Sequence, residues 1–234
     1  TFSELGSFDG SLYFLDYALR KISGNHAYLI RYYLVAQPVR TEAACRASLK
    51  NPVTPLAPGD PLVPLFPRPP EVIAKRLRNN SLCFLARSGD EFAGFLWLAF
   101  NAYDEDEVRC RYELADPTTC VWDYDVHVEP KYRISRTFAR LWDAANAHLT
   151  ENGIRWSMSR ISAFNPASLA AHGRLGIHKL YSASFLCLGP LRVARDVWTD
   201  EAAKWDHTSH LRISKVMGTE PERKAALRKK ADIY

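Results

Sequence analysis

The sequence predicts an α/β fold in which strands and amphipathic helices alternate around one mixed sheet. Hydrophobic residues make up 47% of the 234 residues, which is enough to bury a core in one domain of this size. The periodicity over residues 120–189 predicts a strand, a basic turn, a helix, a strand, a short capped helix and a strand. We therefore expect one domain over residues 1–214. A basic tail follows at 215–234, and the capping-box spacing of Thr219 and Glu222 favours a helix there.

Five elements are expected in the N-terminal half. Leucines at helical spacing predict a helix over 11–21, and the β-branched and aromatic run over 28–39 predicts a strand. The segment 51–70 carries eight prolines, which exclude a helix or a central strand and indicate a long ordered loop. Residues 69–80 open with proline and predict a short helix. Two apolar runs around Ser88-Gly89-Asp90 predict a β-hairpin.

The segment 120–128, CVWDYDVHV, alternates with the period of a strand. Alternation predicts one face with Val121, Asp123, Asp125 and His127, and an opposite face with Trp122, Tyr124, Val126 and Val128. Two carboxylates and an imidazole on one face are candidates for proton transfer, since a carboxylate in a partly dry cleft has a raised pKa. A metal site is the weaker interpretation, because three ligands along one strand do not converge on one ion.

An amphipathic helix follows this strand and ends at Gly153, in the position of a left-handed cap. Its apolar stripe consists of Phe138, Leu141, Trp142, Ala145 and Leu149. The turn before it is basic, with Arg133 and Arg136, and Ser135 is placed to cap the helix. Helix N-termini present unpaired N–H donors and favour anions, so this turn is a candidate anion site.

Three stretches together resemble the GCN5-related N-acyltransferase (GNAT) superfamily. They are VEPKYR at 128–133, the helix that ends at Gly153, and NPASLAAHGRLGI at 165–177. The resemblance implies a three-layer αβα fold around a mixed, mostly antiparallel twisted sheet with two splayed parallel strands. It also implies an N-acyltransferase that moves an acetyl or longer acyl group from an acyl-coenzyme A thioester to a primary amine by direct attack.

In that family the donor's pyrophosphate lies on backbone N–H groups at the start of the helix, and its pantetheine pairs with the preceding strand. The residues that match these contacts are Val126, His127, Val128, Arg133, Ser135, Arg136, Thr137, Asn165 and Ser168. The family's turn carries glycines, where this chain has Arg136 and Phe138. Either the arginines grip phosphate with their guanidinium groups, or the donor is a long-chain acyl phosphopantetheine on an acyl carrier protein, as in relatives that make N-acyl amino acids or acyl-homoserine lactones. A third interpretation is that only the fold is retained and the site is inactive.

Direct attack by an amine needs a base for the ammonium proton and an acid for the leaving thiolate. Asp123 and Asp125 are the candidate bases. His172 stands where the family usually has the tyrosine that protonates the thiolate, and histidine titrates near neutral pH. Tyr181 and Tyr124 are further candidate acids, which completes the predicted catalytic set.

Composition restricts location and partners. Five dispersed cysteines without a CxxC pair argue against a disulfide framework or a zinc site and favour a reducing cytoplasm. No apolar run is long enough to span a bilayer. The net charge of +5 is mild, so it does not favour nucleic acid as a partner, and a small-molecule amine acceptor or an acidic carrier protein is expected instead. A non-catalytic module that binds through RKAALRKK at 223–230 is the remaining alternative.

Overall fold

The computed structural model describes residues 2–105, 107, 111–114 and 116–198. The expected basic tail at 215–234 lies outside these residues, so its helix stays a prediction. The described helices are α1 Phe2–Ser23, α2 Pro70–Arg78, α3 Thr137–Glu151 and α4 Pro166–Gly173. The described strands are β1 Ala27–Pro38, β2 Val53–Pro55, β3 Leu82–Ser88, β4 Glu91–Ala99, β5 Ala102–Asp104, β6 Arg111–Glu113, β7 Cys120–Val128, β8 Trp156–Ser162, β9 His178–Leu188 and β10 Leu191–Trp198.

The predicted α/β class is confirmed: helices flank a mixed sheet with one parallel pair. The helices expected over 11–21 and 69–80 and the hairpin at Gly89 are present, and Gly89 has a φ of 58° that favours glycine. The proline-rich segment 51–70 contributes only the short edge strand β2 and one 3₁₀ turn, as its prolines require. None of the helices among the described residues is both long enough and apolar enough to cross a bilayer.

The chain divides into two compact units. Of the residues that the structure describes, the first comprises 2–37, 102–105, 107, 111–114 and 158–198. Its strands follow the order β10-β9-β1-β8, with β9 antiparallel to both β1 and β10. The strand nearest the N-terminus therefore lies between two strands from the C-terminal half. The helix α1 is held to β1 by Asp9, which accepts hydrogen bonds from Arg31 Nε at 2.9 Å and from the Tyr33 hydroxyl at 2.6 Å.

The second unit comprises residues 38–101 and 116–157. Its strands follow the order β7-β4-β3-β2, and each neighbouring pair is antiparallel. The predicted apolar stripe of α3 packs against β3 and β4, with Leu141, Trp142, Ala145 and Leu149 fully buried. The unit therefore carries the β7–α3 connection on a rigid sheet-and-helix framework, and this connection holds most of the predicted site residues.

Candidate active site

A β-bulge interrupts β7 in the middle of the predicted site. Trp97 of β4 pairs with Tyr124, whereas Phe95 pairs with His127, so three steps along β7 match two along β4. The extra residue sits at Asp125, whose φ of 53° lies in the left-handed region that aspartate tolerates. Beyond this point the side chains of β7 exchange faces.

Because of the bulge, the prediction that Asp123, Asp125 and His127 share one face of β7 is wrong. Residues paired across an antiparallel ladder lie on the same face. Asp123 pairs with Leu98 and His127 pairs with Phe95, and residues three apart in β4 point to opposite faces. Asp123 and His127 are therefore on opposite faces of the sheet and do not act together.

Asp125 is occupied by two guanidinium groups. Arg68 binds both of its carboxylate oxygens, with Nε at 2.8 Å from Oδ2, and Arg76 Nη1 lies 2.5 Å from Oδ2. The Arg76 guanidinium also lies over the rings of Trp97 and Tyr124, 5.2 and 5.1 Å from their centroids. This arrangement ties the proline-rich segment and α2 to the bulge. It argues against Asp125 as the base, because both oxygens already accept charged hydrogen bonds.

Asp123 is also poorly placed for proton transfer to a substrate. It is buried, with 2% of its surface exposed, and it accepts a hydrogen bond of 2.7 Å from the Ser157 hydroxyl. A carboxylate enclosed in this way stabilises the strand rather than contacting a ligand from solvent. The predicted carboxylate bases are thus both engaged within the protein.

The structure instead shows a histidine–carboxylate pair that the sequence analysis missed. His127 Nε2 lies 2.9 Å from Glu129 Oε1, and the backbone N–H of Glu129 donates to Ala93 O at 3.0 Å. The imidazole lies parallel to the Phe92 ring, with centroids 6.2 Å apart and an interplanar angle of 3°, and 5.5 Å from the Phe95 ring. The H-x-E spacing within VHVEP was the available signal, since residues two apart in an extended chain share a face.

Glu129 lines a cleft of about 400 Å³ beside this pair. Its other lining residues are Leu65, Asp90, Glu91, Phe92 and Lys131. Glu91 forms an ion pair with Lys131 and accepts a hydrogen bond from the Tyr132 hydroxyl. The cleft therefore combines an apolar wall with carboxylates, a combination that suits an amine with an apolar body. Nearby in the same unit, burial raises the pKa of Tyr124 to about 12, so its hydroxyl stays protonated.

The turn before α3 needs no glycine. A 3₁₀ turn, Pro130–Tyr132, leads into it, Arg133 has a φ of −63° and Arg136 has a φ of −85°. No residue from 129 to 138 has a positive φ. Because every residue here is in a region open to all side chains, Arg136 and Phe138 fit without strain.

The N-cap position of α3 is Arg136, which makes no side-chain cap, and Ser135, the predicted cap, lies one residue earlier and bonds to the first turn. Its hydroxyl donates to Tyr132 O at 2.6 Å and accepts the Thr137 N–H at 3.1 Å. Thr137 is buried and its hydroxyl lies 2.9 Å from that of Ser135, so neither side chain points freely at a ligand. The two arginines of the turn are exposed and make no ion pair within the described part of the chain.

The end of β7 is shaped for close approach of the backbone. Val128 pairs with Gly94, where an added Cβ would lie 2.4 Å from the His127 carbonyl oxygen. The Val128 carbonyl accepts from Arg133 Nε at 3.3 Å, which fixes that guanidinium near the strand end. Val126 lies in the bulge and has no partner in the β4 register. The backbone near Val126 is thus the irregular part of the strand.

The remaining predicted residues lie in the other unit. Asn165 accepts the Ser168 N–H at 3.0 Å and caps α4, as predicted. Tyr181 is buried on β9, opposite Leu34. His172 is also buried, and its Nδ1 lies 3.4 Å from Gln37 Oε1.

Burial lowers the pKa of His172 to about 4. The ring is therefore neutral at pH 7, because the desolvated imidazolium is disfavoured. This argues against His172 as the imidazolium that protonates a thiolate.

Few known proteins are similar to this chain in sequence. No protein-family model matches the chain. Protein p41 of Acyrthosiphon pisum secondary endosymbiont phage 1 is 37% identical over 62 residues, which cover 26% of this chain and 14% of p41. The chain thus matches only a small part of this curated relative.

Several similar solved structures are GNAT proteins. The GCN5-related N-acetyltransferase of Sphaerobacter thermophilus is 14% identical, with a TM-score of 0.47 over 78% of this chain and 56% of that one. The enzyme of the same description from Kribbella flavida is 11% identical, with a TM-score of 0.40 over 82% and 65%. A tandem GNAT protein from the clavulanic acid biosynthesis pathway is 13% identical, with a TM-score of 0.45 over 70% and 55%.

These similarities concern the fold alone. At such identities they assign no residue, donor or acceptor to this chain. Solved proteins of the GNAT family are among the structures that this chain resembles, as its sequence motifs predicted.

Proposed function

We propose that the chain is an N-acyltransferase that moves an acyl group from an acyl-coenzyme A thioester to a primary amine. The observation that carries the proposal is the β7–α3 connection. Within a dozen residues it presents a strand bulge, a histidine–glutamate pair and an arginine-bearing helix start. Each feature supplies one requirement of acyl transfer.

Donor binding is assigned to the start of α3. The first N–H groups of a helix have no intrahelical acceptor and attract phosphate, and Arg133 and Arg136 add two charges without a carboxylate partner. Arg133 is held toward the strand end by its contact with the Val128 carbonyl. Thr137, which the resemblance implies as a donor contact, stays in the proposal, whereas Asn165 and Ser168 belong to the other unit and stay predictions of the resemblance.

Thioester activation is assigned to the bulge. A bulge frees backbone groups from the ladder, and the amides near Val126 and His127 are therefore suited to hydrogen-bond a carbonyl oxygen that gains negative charge. The amine nitrogen attacks the carbonyl carbon, the C–S bond breaks and the sulfur leaves as a thiolate.

Proton transfer is assigned to His127, with Glu129 as its positioning partner. Before attack the ammonium gives up a proton, and histidine is the side chain suited to accept it near neutral pH. The carboxylate of Glu129, 2.9 Å away, orients the ring. As the C–S bond breaks, the nitrogen loses its second proton and the thiolate takes one, for which Tyr124 of the same unit is the proposed donor, while Tyr181 lies in the other unit and stays a prediction.

A carrier-protein donor remains the second candidate, with a long acyl chain. Three exposed cations, Lys131, Arg133 and Arg136, follow one another around the turn and suit an acidic carrier. The absence of glycine no longer favours this candidate, because the turn's backbone does not require it. The proposed binding module depends on residues 223–230, which lie outside the described residues.

Isothermal titration with coenzyme A tests the proposal. We expect micromolar binding, weakened at least about tenfold by Arg133→Ala with Arg136→Ala, which equals about 1.4 kcal/mol. Arg78→Ala, at an exposed arginine of α2, is the matched control and should bind as the parent does. Binding only to an acylated carrier protein would favour the second candidate. Binding to neither donor would overturn both.

A further inference from the structure

A second cleft, of about 450 Å³, lies between residues 43–53 and α3. Half of its lining is apolar: Ala43, Ala47, Leu49, Pro52, Val53 and Ala144. The polar half includes Arg46, Ser48 and Arg140. All of these residues belong to one compact unit, so the cleft is defined by that unit alone.

Arg140 gives the cleft an unsatisfied positive charge. Its Nε is buried and has no hydrogen-bond partner among the described residues. Its guanidinium makes no ion pair with any carboxylate in the described part of the chain. Arg140 also lines the cleft, and a guanidinium without a carboxylate partner favours an anion supplied by a ligand at its accessible end.

The carboxylate that lines the cleft does not neutralise Arg140. Asp143 Oδ1 accepts the Ala44 N–H at 2.8 Å, and its Oδ2 accepts the Cys45 N–H at 2.9 Å. Both oxygens thus fasten the loop wall to α3. Asp143 therefore makes no ion pair with Arg140, and its two hydrogen bonds hold residues 44 and 45 against α3.

Further donors face the same space. Arg46 is exposed, and the Ser48 hydroxyl accepts from Asn51 N at 3.2 Å and from Asn51 Nδ2 at 3.3 Å, which leaves its proton to be donated. Burial, and then Asp143, raise the pKa of the Cys45 thiol against the opposing effect of the arginines, so the thiol stays neutral. Two guanidinium groups and a hydroxyl offer more hydrogen-bond donors than the two oxygens of a carboxylate can accept. This number of donors suits the oxygens of a phosphate.

We propose that this cleft binds a phosphomonoester with an apolar body. The phosphate lies against Arg140 and Arg46 and accepts from Ser48. The body covers the apolar wall, where Leu49 is fully exposed. The inference does not require the proposed acyl transfer.

Two sources could supply this phosphate. Arg136 precedes Arg140 by one helical turn, and both arginines oppose the rise in the pKa of the Cys45 thiol. If an acyl-coenzyme A donor is bound at Arg136, the 3′-phosphate of its adenosine is therefore within reach of the cleft. A separate phosphorylated metabolite is the other source. The chemistry that recognises them is the same.

Isothermal titration with adenosine 3′,5′-bisphosphate tests the site. We expect Arg140→Gln to weaken binding at least about tenfold, and Arg78→Gln, at an exposed arginine elsewhere in the same unit, to change it less than about twofold. Arg140→Lys keeps the charge but loses the planar fork, and should also weaken binding if Arg140→Gln does not fold. The bisphosphate should raise the unfolding temperature of the parent but not of Arg140→Gln.

No binding to the parent, unchanged affinity in both Arg140 variants, or equal losses in Arg140→Gln and Arg78→Gln would each overturn the proposal. Competition by coenzyme A would assign the phosphate to the donor, and simultaneous binding would assign it to a separate metabolite. Bisphosphate binding without coenzyme A binding would leave this site intact while the proposed donor site fails.

Discussion

The chain has two strand-to-helix connections, one from β7 to α3 and one from β8 to α4. The two connections differ in which side chains they expose to solvent. The first carries exposed arginines, a bulge and the His127–Glu129 pair. The second begins with a capping asparagine and encloses His172 in the interior. At both helix starts a side-chain oxygen accepts a first-turn N–H, so such a contact alone does not mark a binding site. Unpaired charge at the helix start is what distinguishes the first connection.

The largest expected effect concerns the ion pairs beneath the bulge. Asp125→Asn keeps a residue that tolerates the left-handed backbone but leaves Arg68 and Arg76 without their carboxylate. We expect the free energy of unfolding to fall by about 3 kcal/mol, the low end for a buried ion pair that loses one partner, because the side chains of Asp125 and Arg76 are largely enclosed. Urea unfolding measures this loss. Asp90→Asn, at an exposed turn, should change stability by less than about 0.5 kcal/mol; equal effects would show that the clamp contributes nothing.

The next effect compares the loss of activity on removing His127, the partner of Glu129, with the loss on removing an exposed histidine elsewhere. If His127 accepts the amine proton, His127→Ala lowers kcat about 100-fold, equal to about 2.7 kcal/mol. Thiol release from acetyl-coenzyme A, with a panel of primary amines, measures it. His26→Ala at an exposed histidine is the control. Glu129→Gln should lower kcat less and shift the pH profile, and an unchanged profile would remove its positioning role.

The buried histidine of the second connection predicts a pH dependence of stability. The folded pKa of about 4 for His172 lies below its usual value of 6.5, so the unfolded chain binds the proton more tightly. The contribution of His172 to the free energy of unfolding is present above pH 6.5 and is lost as the pH falls toward 4. At pH 4.5 this loss amounts to about 2 kcal/mol. Urea unfolding of the parent and of His172→Leu at pH 7 and pH 4.5 isolates it. An equal pH dependence in both proteins would contradict the prediction.

The smallest expected effects compare the Ser135 hydroxyl before α3 with the Asn165 cap of α4. Ser135→Ala and Asn165→Ala each remove an oxygen that accepts a first-turn N–H, which costs about 1 kcal/mol of unfolding free energy. Aspartate at either position retains a capping oxygen and serves as the matched control. If alanine and aspartate gave the same stability at Ser135, its hydroxyl would not be a cap.

Local patterns were sufficient for most of the architecture. Periodicity predicted α3 and its buried stripe, proline predicted the start of α2, and Gly89 predicted the hairpin, because each depends on neighbours in the chain. The position of β1 between β8 and β9 was not predictable in this way, since it depends on pairing with a strand about 150 residues away. Strand pairing of that range carries no local signal.

For the candidate site too, some features depend on the local sequence and others on the tertiary structure. The sequence determined which chemical groups cluster around residues 123–137 and that the turn before α3 is basic, because composition and spacing are written in the chain. Only the tertiary structure decided which of those groups face a ligand. One extra residue at Asp125 reversed the faces of β7, and two arginines from distant segments occupied its carboxylate. Alternation assumes an unbroken ladder, and the partners of a charge are chosen by the fold rather than by the local sequence.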